Sequence, residues 1–308
     1  MNYFFGIATL LTIFFTHSLS LPTSRDNTCN ILSLSGGGSF GAVEVGILQD
    51  LSNKNNIVSE FDIITGISAG GLNAAFLSYT KKINDSINNL AKIYSSLRNK
   101  DIYEKDLIHI LKNWGLYDTT PLEETITEII STKIKEKESP ITLIGASNVN
   151  KQQLDIFHYD TANFSKKLDI LMATSAIPLI FPPRKVGEYL YIDGGSIDNE
   201  IIYQAMGQLK CDYYNYLFIS ASNKNVNNKN INNIIEYTKS VVNLIVNTFD
   251  YELAGLKNIS CLHPHGIIDA CLPTDPELEK YSYLDFNNGD KLMEIGRNSY
   301  SCQQLPLC

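Results

Sequence analysis

Two stretches of this chain share one pattern: a short apolar run stops at glycines and a helical periodicity follows. That repeated strand–turn–helix unit limits the possible folds more than any other feature. The first is ILSLSGGGSFGAVEVGIL, Ile31 to Leu48. Asn30 to Leu34 reads as a buried strand, and Val43, Ile47, Leu48 and Leu51 then recur at near-helical spacing. In the second, Phe61 to Thr65 is an apolar run with a β-branched bias, ending at GISAGG. Leu72, Ala75, Phe76 and Tyr79 follow at i, i+3, i+4, i+7, the stripe of an amphipathic helix. Strands alternating with helices predict a mostly parallel sheet covered on both faces. If the two strands are neighbours, both glycine turns meet at one sheet edge.

Further strands are expected at Ile141–Ala146, Leu154–Tyr159, Tyr189–Ile192 and Tyr213–Ser220, and a helix at Leu168–Ser175. TTPLEE predicts a helix start with Thr120 as N-cap, Pro121 in the first turn and Glu123 three residues after the cap. Leu122, Ile126, Ile129, Ile130 and Ile134 line one face of that helix. Residues 83–117 read as a helical insertion or lid outside the sheet and contain the single tryptophan, Trp114. Asn223–Asn233 is a polar low-complexity loop, and Val241 to Phe249 has the spacing of a late helix.

The first twenty residues read as a removable leader. An apolar run of about thirteen residues, Tyr3 to Phe15, precedes the small pair Ser18 and Ser20, which predicts a secretory signal cut after Ser20. The run is short of the ~20 residues a spanning helix needs. The remainder, 21–308, is expected to form a single domain, with its motifs in 31–202 and a cysteine-rich part in 211–308. All six cysteines (Cys29, Cys211, Cys261, Cys271, Cys302 and Cys308) lie beyond the leader, and an even count in an exported chain predicts up to three disulfides of undetermined connectivity. Asn84, Asn163 and Asn258 head N-x-S triplets that would accept glycans on a secretory route. A net charge of −8 provides no basic footprint for nucleic acid and no polybasic membrane patch.

The glycines admit more than one reading. Gly36, Gly38 and Gly41 spell the dinucleotide fingerprint G-x-G-x-x-G. The ribose-binding acid could be Glu60 or Asp62, yet both precede the second apolar run, whereas that acid belongs at a strand's C-terminal end. No Lys-Ser or Lys-Thr follows the glycines, so a Walker loop is excluded and no nucleotide is expected. Gly66-Ile67-Ser68-Ala69-Gly70 is G-x-S-x-G between a strand and a helix, the context of a nucleophile elbow. Its glycines let a tight turn close around a serine pushed out at the sheet edge. Bare N–H groups of the first glycine loop could then hold an oxyanion. For the base, His109, His158, His263 and His265 all lack the placement of a triad histidine. Asp193, at the end of YLYID before two glycines, is the other candidate, if desolvation lifts its affinity for protons. The bland reading, an aspartate holding its own turn, weighs about equally. No metal-ligand spacing is present, and no cofactor is expected.

Taken in order, SGGGSFGAVEVGIL, GISAGG, YDTTPL, ATSAIPLIFPP and YLYIDGG resemble the patatin-like phospholipase family from about Ile31 to about Ile202. The resemblance implies a three-layer α/β/α sandwich and a metal-free lipid acyl hydrolase acting on lipid or membrane-surface substrates. It implies Ser68 as nucleophile, Asp193 as general base and Gly36, Gly37 and Gly38 as the oxyanion run. Gly41, Gly66, Gly70, Gly194 and Gly195 support these motifs. Two positions depart from the family pattern: Ser35 stands where an aspartate is usual, and Phe40 where a basic residue is usual. The second removes a cation beside the glycine loop. It points either to neutral-lipid substrates or to a lipid-binding or storage glycoprotein with little turnover.

Overall fold

A computed structural model describes residues 27–80, 82–105, 114–133, 139–198, 201–221 and 266–305. The elements in chain order are β1 (Thr28–Leu34), α1 (Gly41–Asn53), β2 (Ile63–Ile67), α2 (Ser68–Leu77), α3 (Ile83–Ser96), α4 (Thr120–Ser131), β3 (Ile141–Asn148), β4 (Gln153–His158), α5 (Phe164–Thr174), β5 (Arg184–Val186), β6 (Tyr189–Asp193), α6 (Ile202–Met206), β7 (Tyr213–Ile219), β8 (Gly266–Pro273), α7 (Gly289–Asn298) and β9 (Tyr300–Leu305). The expected leader, the loop 223–233, the late helix, Cys261, Cys308, Asn258, Ile134 and the histidines 109, 263 and 265 lie outside the described residues.

The strands form one mixed sheet in the order β5-β6-β3-β2-β1-β7-β8-β9, with β4 on the remaining edge of β3. Its centre, β3-β2-β1-β7-β8, is parallel throughout. The flanking strands β4, β6 and β9 run antiparallel to their neighbours. Parallel strands are buried on both faces, which is why β1 and β2 are near-continuous apolar runs. On one face Leu32, Leu34 and Ile64 pack with α1, α3 and α7; on the other Ile31, Ile63, Leu143 and Phe218 pack with α6. Helices therefore cover both faces of a sheet that is parallel at its core, as the sequence predicts. Among the described residues, no helix is long and apolar enough to cross a membrane.

Three expectations change. Residues 83–96 are no lid: Ile83, Ile87, Leu90, Ala91 and Tyr94 are buried in the largest core cluster against α1. An amphipathic stripe shows that a helix has a buried face, and here the covering surface is the central layer itself. Thr120 is not the cap of α4. Asp118 Oδ1 accepts from the Thr120 N–H at 2.9 Å and its hydroxyl at 2.8 Å, while Glu123 pairs with Arg184 at 2.8 Å. Finally, β2 continues two residues beyond Thr65, so Gly66 and Ile67 are strand rather than turn.

The C-terminal part, which has no motif, completes the sheet. β8 extends it beyond β7, and α7 lies on α1. Added Cβ atoms at Gly46 and Gly296 would come within 2.2 Å of the Met293 and Val43 carbonyl oxygens, so these two glycines permit the close approach of α1 and α7. Cys271–Cys302 bridges β8 and β9, and Cys29–Cys211 ties β1 to the approach to β7. Asn84 and Asn163 are both exposed.

Candidate active site

Strand register brings the site together. β2 runs along β3 until Ile67 lies opposite Gly145, and there the chain turns into α2. β4 fills the other edge of β3 from Leu143 to Asn148. β6 therefore takes the edge that β2 has left, placing Asp193 opposite Ala146, one position beyond the last β2 pair. Two strands laid end to end on one neighbour thus deliver Ser68 and Asp193 to the same point.

Ser68 opens α2 with φ at +55°, a left-handed conformation that costs a residue with a Cβ of order 1–3 kcal/mol. The glycines of the elbow have steric reasons to be there. A Cβ at Gly66 would sit 2.2 Å from the Gly70 carbonyl oxygen, and one at Gly70 would sit 2.3 Å from that of Ser35. The Ser68 hydroxyl donates to Asp193 Oδ2 at 2.6 Å, and both side chains are buried. Asp193 Oδ1 accepts from the Gly195 N–H at 2.9 Å, and the Asp193 N–H donates to the Ala176 carbonyl at 2.9 Å. Gly194 lies so close to β3 that a Cβ there would be 2.7 Å from the Gly145 oxygen. Burial pushes the Asp193 carboxyl up to about 7, against the smaller opposing effect of the bonds from Ser68 and Gly195.

The first glycine loop packs directly on this elbow. Gly70 N–H donates to the Ser35 carbonyl at 3.1 Å, and a Cβ at Gly41 would meet the Ala69 Cβ at 2.9 Å. Gly38 has φ at +56°, and a Cβ there would strike the Tyr283 carbonyl oxygen at 2.2 Å, so only glycine fits. The loop is held at both ends, by Ser39 N–H to Tyr283 O at 2.8 Å and by Ala221 N–H to Ser35 Oγ at 3.0 Å. The unusual Ser35 thus fastens the loop to the end of β7, while Phe40 is half-buried against the core. Among the described residues no acceptor takes the Gly37 or Gly38 N–H.

One site residue escapes sequence reasoning. The Thr174 hydroxyl accepts from the Ser68 N–H at 2.8 Å and donates to the Gly145 carbonyl at 2.6 Å, bridging the elbow to β3. Its only signal is its place in ATSAIPLIFPP, which shows no spacing relation to either candidate catalytic residue. The acids weighed for a ribose lie elsewhere. Asp62, just before β2, accepts from the Asn30 N–H at 2.8 Å, at the opposite end of the strand from Ser68. His158, at the exposed end of β4, faces Asp160 at 4.0 Å. Among the described residues no three potential metal ligands gather.

One helical turn along α2 from Ser68, Leu72 begins an apolar groove between α2, α3 and α4. Phe76, Leu90, Tyr94, Ile126 and Leu171 line it.

A family model described as patatin-like phospholipase matches residues 32–206. The chain is similar to the probable lipid hydrolase 463L of Invertebrate iridescent virus 6, 33% identical over 181 residues that cover 54% of this chain and 60% of that protein. It is also similar to patatin-like protein 4 of Arabidopsis thaliana, 28% identical over 209 residues, 58% of this chain and 51% of that one. The chain thus spans little more than half the length of these relatives. Among solved structures, VipD from Legionella pneumophila aligns with a TM-score of 0.40 at 13% identity, over 89% of this chain and 68% of that one.

Proposed function

The chain belongs to the patatin-like phospholipase family, and from that premise we propose that it hydrolyses fatty-acyl esters of lipids with Ser68 as nucleophile and Asp193 as its base. The observation that carries the reading is the 2.6 Å hydrogen bond between a strained, buried serine hydroxyl and a carboxyl whose proton affinity is matched to neutral pH.

In the proposed reaction the Ser68 oxygen attacks the ester carbonyl as its proton passes to Asp193. The tetrahedral oxyanion is held by N–H groups of the Gly36–Gly38 loop, and removal of one such donor typically costs ~3 kcal/mol of transition-state stabilisation. Asp193 then protonates the departing alcohol. Water, deprotonated by the same carboxylate, releases the acid from Ser68. The apolar groove beginning at Leu72 takes the acyl chain, so α3 serves substrate binding as well as the core. Phospholipids with an A-type cleavage are the expected substrates. Action in the secretory lumen or outside the cell is supported by the apolar leader and by two disulfides, which persist in oxidising compartments.

The test is release of fatty acid from a panel of phospholipid and neutral-lipid esters of graded chain length, with Ser68→Ala and Asp193→Asn alongside. Hydrolysis by wild type, absent in both variants, is expected. Undiminished hydrolysis by either variant contradicts the assignment, and lipid binding without cleavage by wild type would favour the storage reading that Phe40 suggests.

A further inference from the structure

Five large apolar side chains stand exposed among the described residues, and three of them flank the segments that hold the catalytic pair. Leu179 is 60% exposed, Trp114 68% and Ile197 50%. The segment Thr174–Leu179, in the otherwise unexplained motif ATSAIPLIFPP, links these features. Its first residue supports the Ser68 N–H, and its third, Ala176, accepts from the Asp193 N–H. Its last is Leu179, three residues further and so within about 11 Å of Ala176 along the chain. Leu116 N–H donates to the Leu179 carbonyl at 3.1 Å and Tyr117 N–H to that of Ile180 at 3.0 Å, with a bridge between Gly115 and Leu179, so Trp114 is fastened beside Leu179. Ile197, four residues after Asp193, lies within about 14 Å of it.

Both Leu179 and Trp114 also have left-handed backbones, with φ at +65° and +59°. A bulky residue in that region is strained, and here the strain aims an apolar side chain at water. Among the described residues neither side chain finds a cover. A lipid–water interface supplies one, since tryptophan and leucine gain by entering the boundary between headgroups and acyl chains.

We propose that Trp114, Leu179 and Ile197 form a lipid-docking rim that seats the mouth of the catalytic site on the surface of its substrate aggregate. The inference rests on the proposed function, because the rim presents Ser68 to an acyl ester only if Ser68 is the nucleophile. The rim residues are uncharged and the chain carries a net charge of −8, so the occupant is an electrically neutral, zwitterionic lipid surface rather than an anionic one.

Trp114 is the only tryptophan, so intrinsic fluorescence reports the rim alone. The full chain carrying Ser68→Ala is titrated with phosphatidylcholine vesicles, which separates docking from hydrolysis. The emission is expected to shift to the blue and to become protected from acrylamide. In the same background Leu179→Asn, which tolerates the left-handed backbone, is expected to keep the thermal midpoint while vesicle partition falls at least about tenfold. Unchanged emission at saturating lipid overturns the proposal, as does wild-type partition by Leu179→Asn. A blue shift that follows protein concentration without lipid also overturns it, because the rim is then a contact with a second copy of the chain. If docking is seen but active chain hydrolyses no ester, the failure belongs to the proposed function and not to the rim.

Discussion

Replacing Asp193 by asparagine should remove the proposed catalytic base and make the protein more stable, but only at high pH. The amide has the shape of the carboxyl. Its oxygen can still accept from the Gly195 N–H, and its NH₂ can donate to the Ser68 oxygen. What disappears is the ionisation. In the folded chain burial raises the Asp193 carboxyl from its ordinary 3.8 to about 7. Between those values the folded state holds a proton that the unfolded chain has released, so wild-type stability falls as pH rises through this window. The contribution is fully present below 3.8 and fully lost above about 7. At 1.36 kcal/mol per pH unit, the loss is about 4 kcal/mol. Urea unfolding of wild type and Asp193→Asn, disulfides intact, should therefore give stabilities whose difference grows by several kcal/mol in favour of the variant between pH 4 and pH 8. Other titrating groups cancel in that difference. Parallel curves, with a difference that moves by less than about 1 kcal/mol, would refute a desolvated carboxyl at this position.

The same titration should govern catalysis: kcat/KM against a monomeric ester rises with pH through about 7, and Asp193→Asn loses at least about a hundredfold together with that limb. Thr174→Val leaves the buried Ser68 N–H without its acceptor, so chemical denaturation should show a loss of about 1–3 kcal/mol and kcat should fall, with Thr174→Ser restoring both. Gly38→Ala drives a Cβ onto the Tyr283 carbonyl in a left-handed backbone, so a lowered thermal midpoint and loss of activity are expected, whereas an active, fully stable variant would show that the loop has room.

What the sequence reveals is set by local sterics. Gly66 and Gly70 two residues either side of a serine are readable because the turn closes only without their Cβ atoms, and the structure puts backbone atoms 2.2–2.3 Å from where those Cβ atoms would be. Asp193 is readable as an acid at a strand end before two glycines, yet its role depends on where β6 docks. That is a property of β3, whose edge β2 leaves free after Gly145. Nothing local to YLYIDGG encodes it, and so the residues alone leave base and turn-former equally open. Thr174 is invisible for the same reason: its partners, Ser68 and Gly145, are 106 and 29 residues away. The misassigned α3 shows the reverse case. Its apolar stripe is plain, but whether such a stripe covers a core or roofs a site depends on α1 and α7, the latter drawn from a C-terminal region with no motif at all.

The central claim is a serine made reactive by one carboxylate, and a fluorophosphonate probe measures it most directly. The account predicts that the wild-type chain is labelled covalently, that peptide mass spectrometry places the adduct on Ser68, and that labelling slows as pH drops below about 7. Labelling of the wild type no faster than that of Ser68→Ala, or an adduct on another serine, would contradict it.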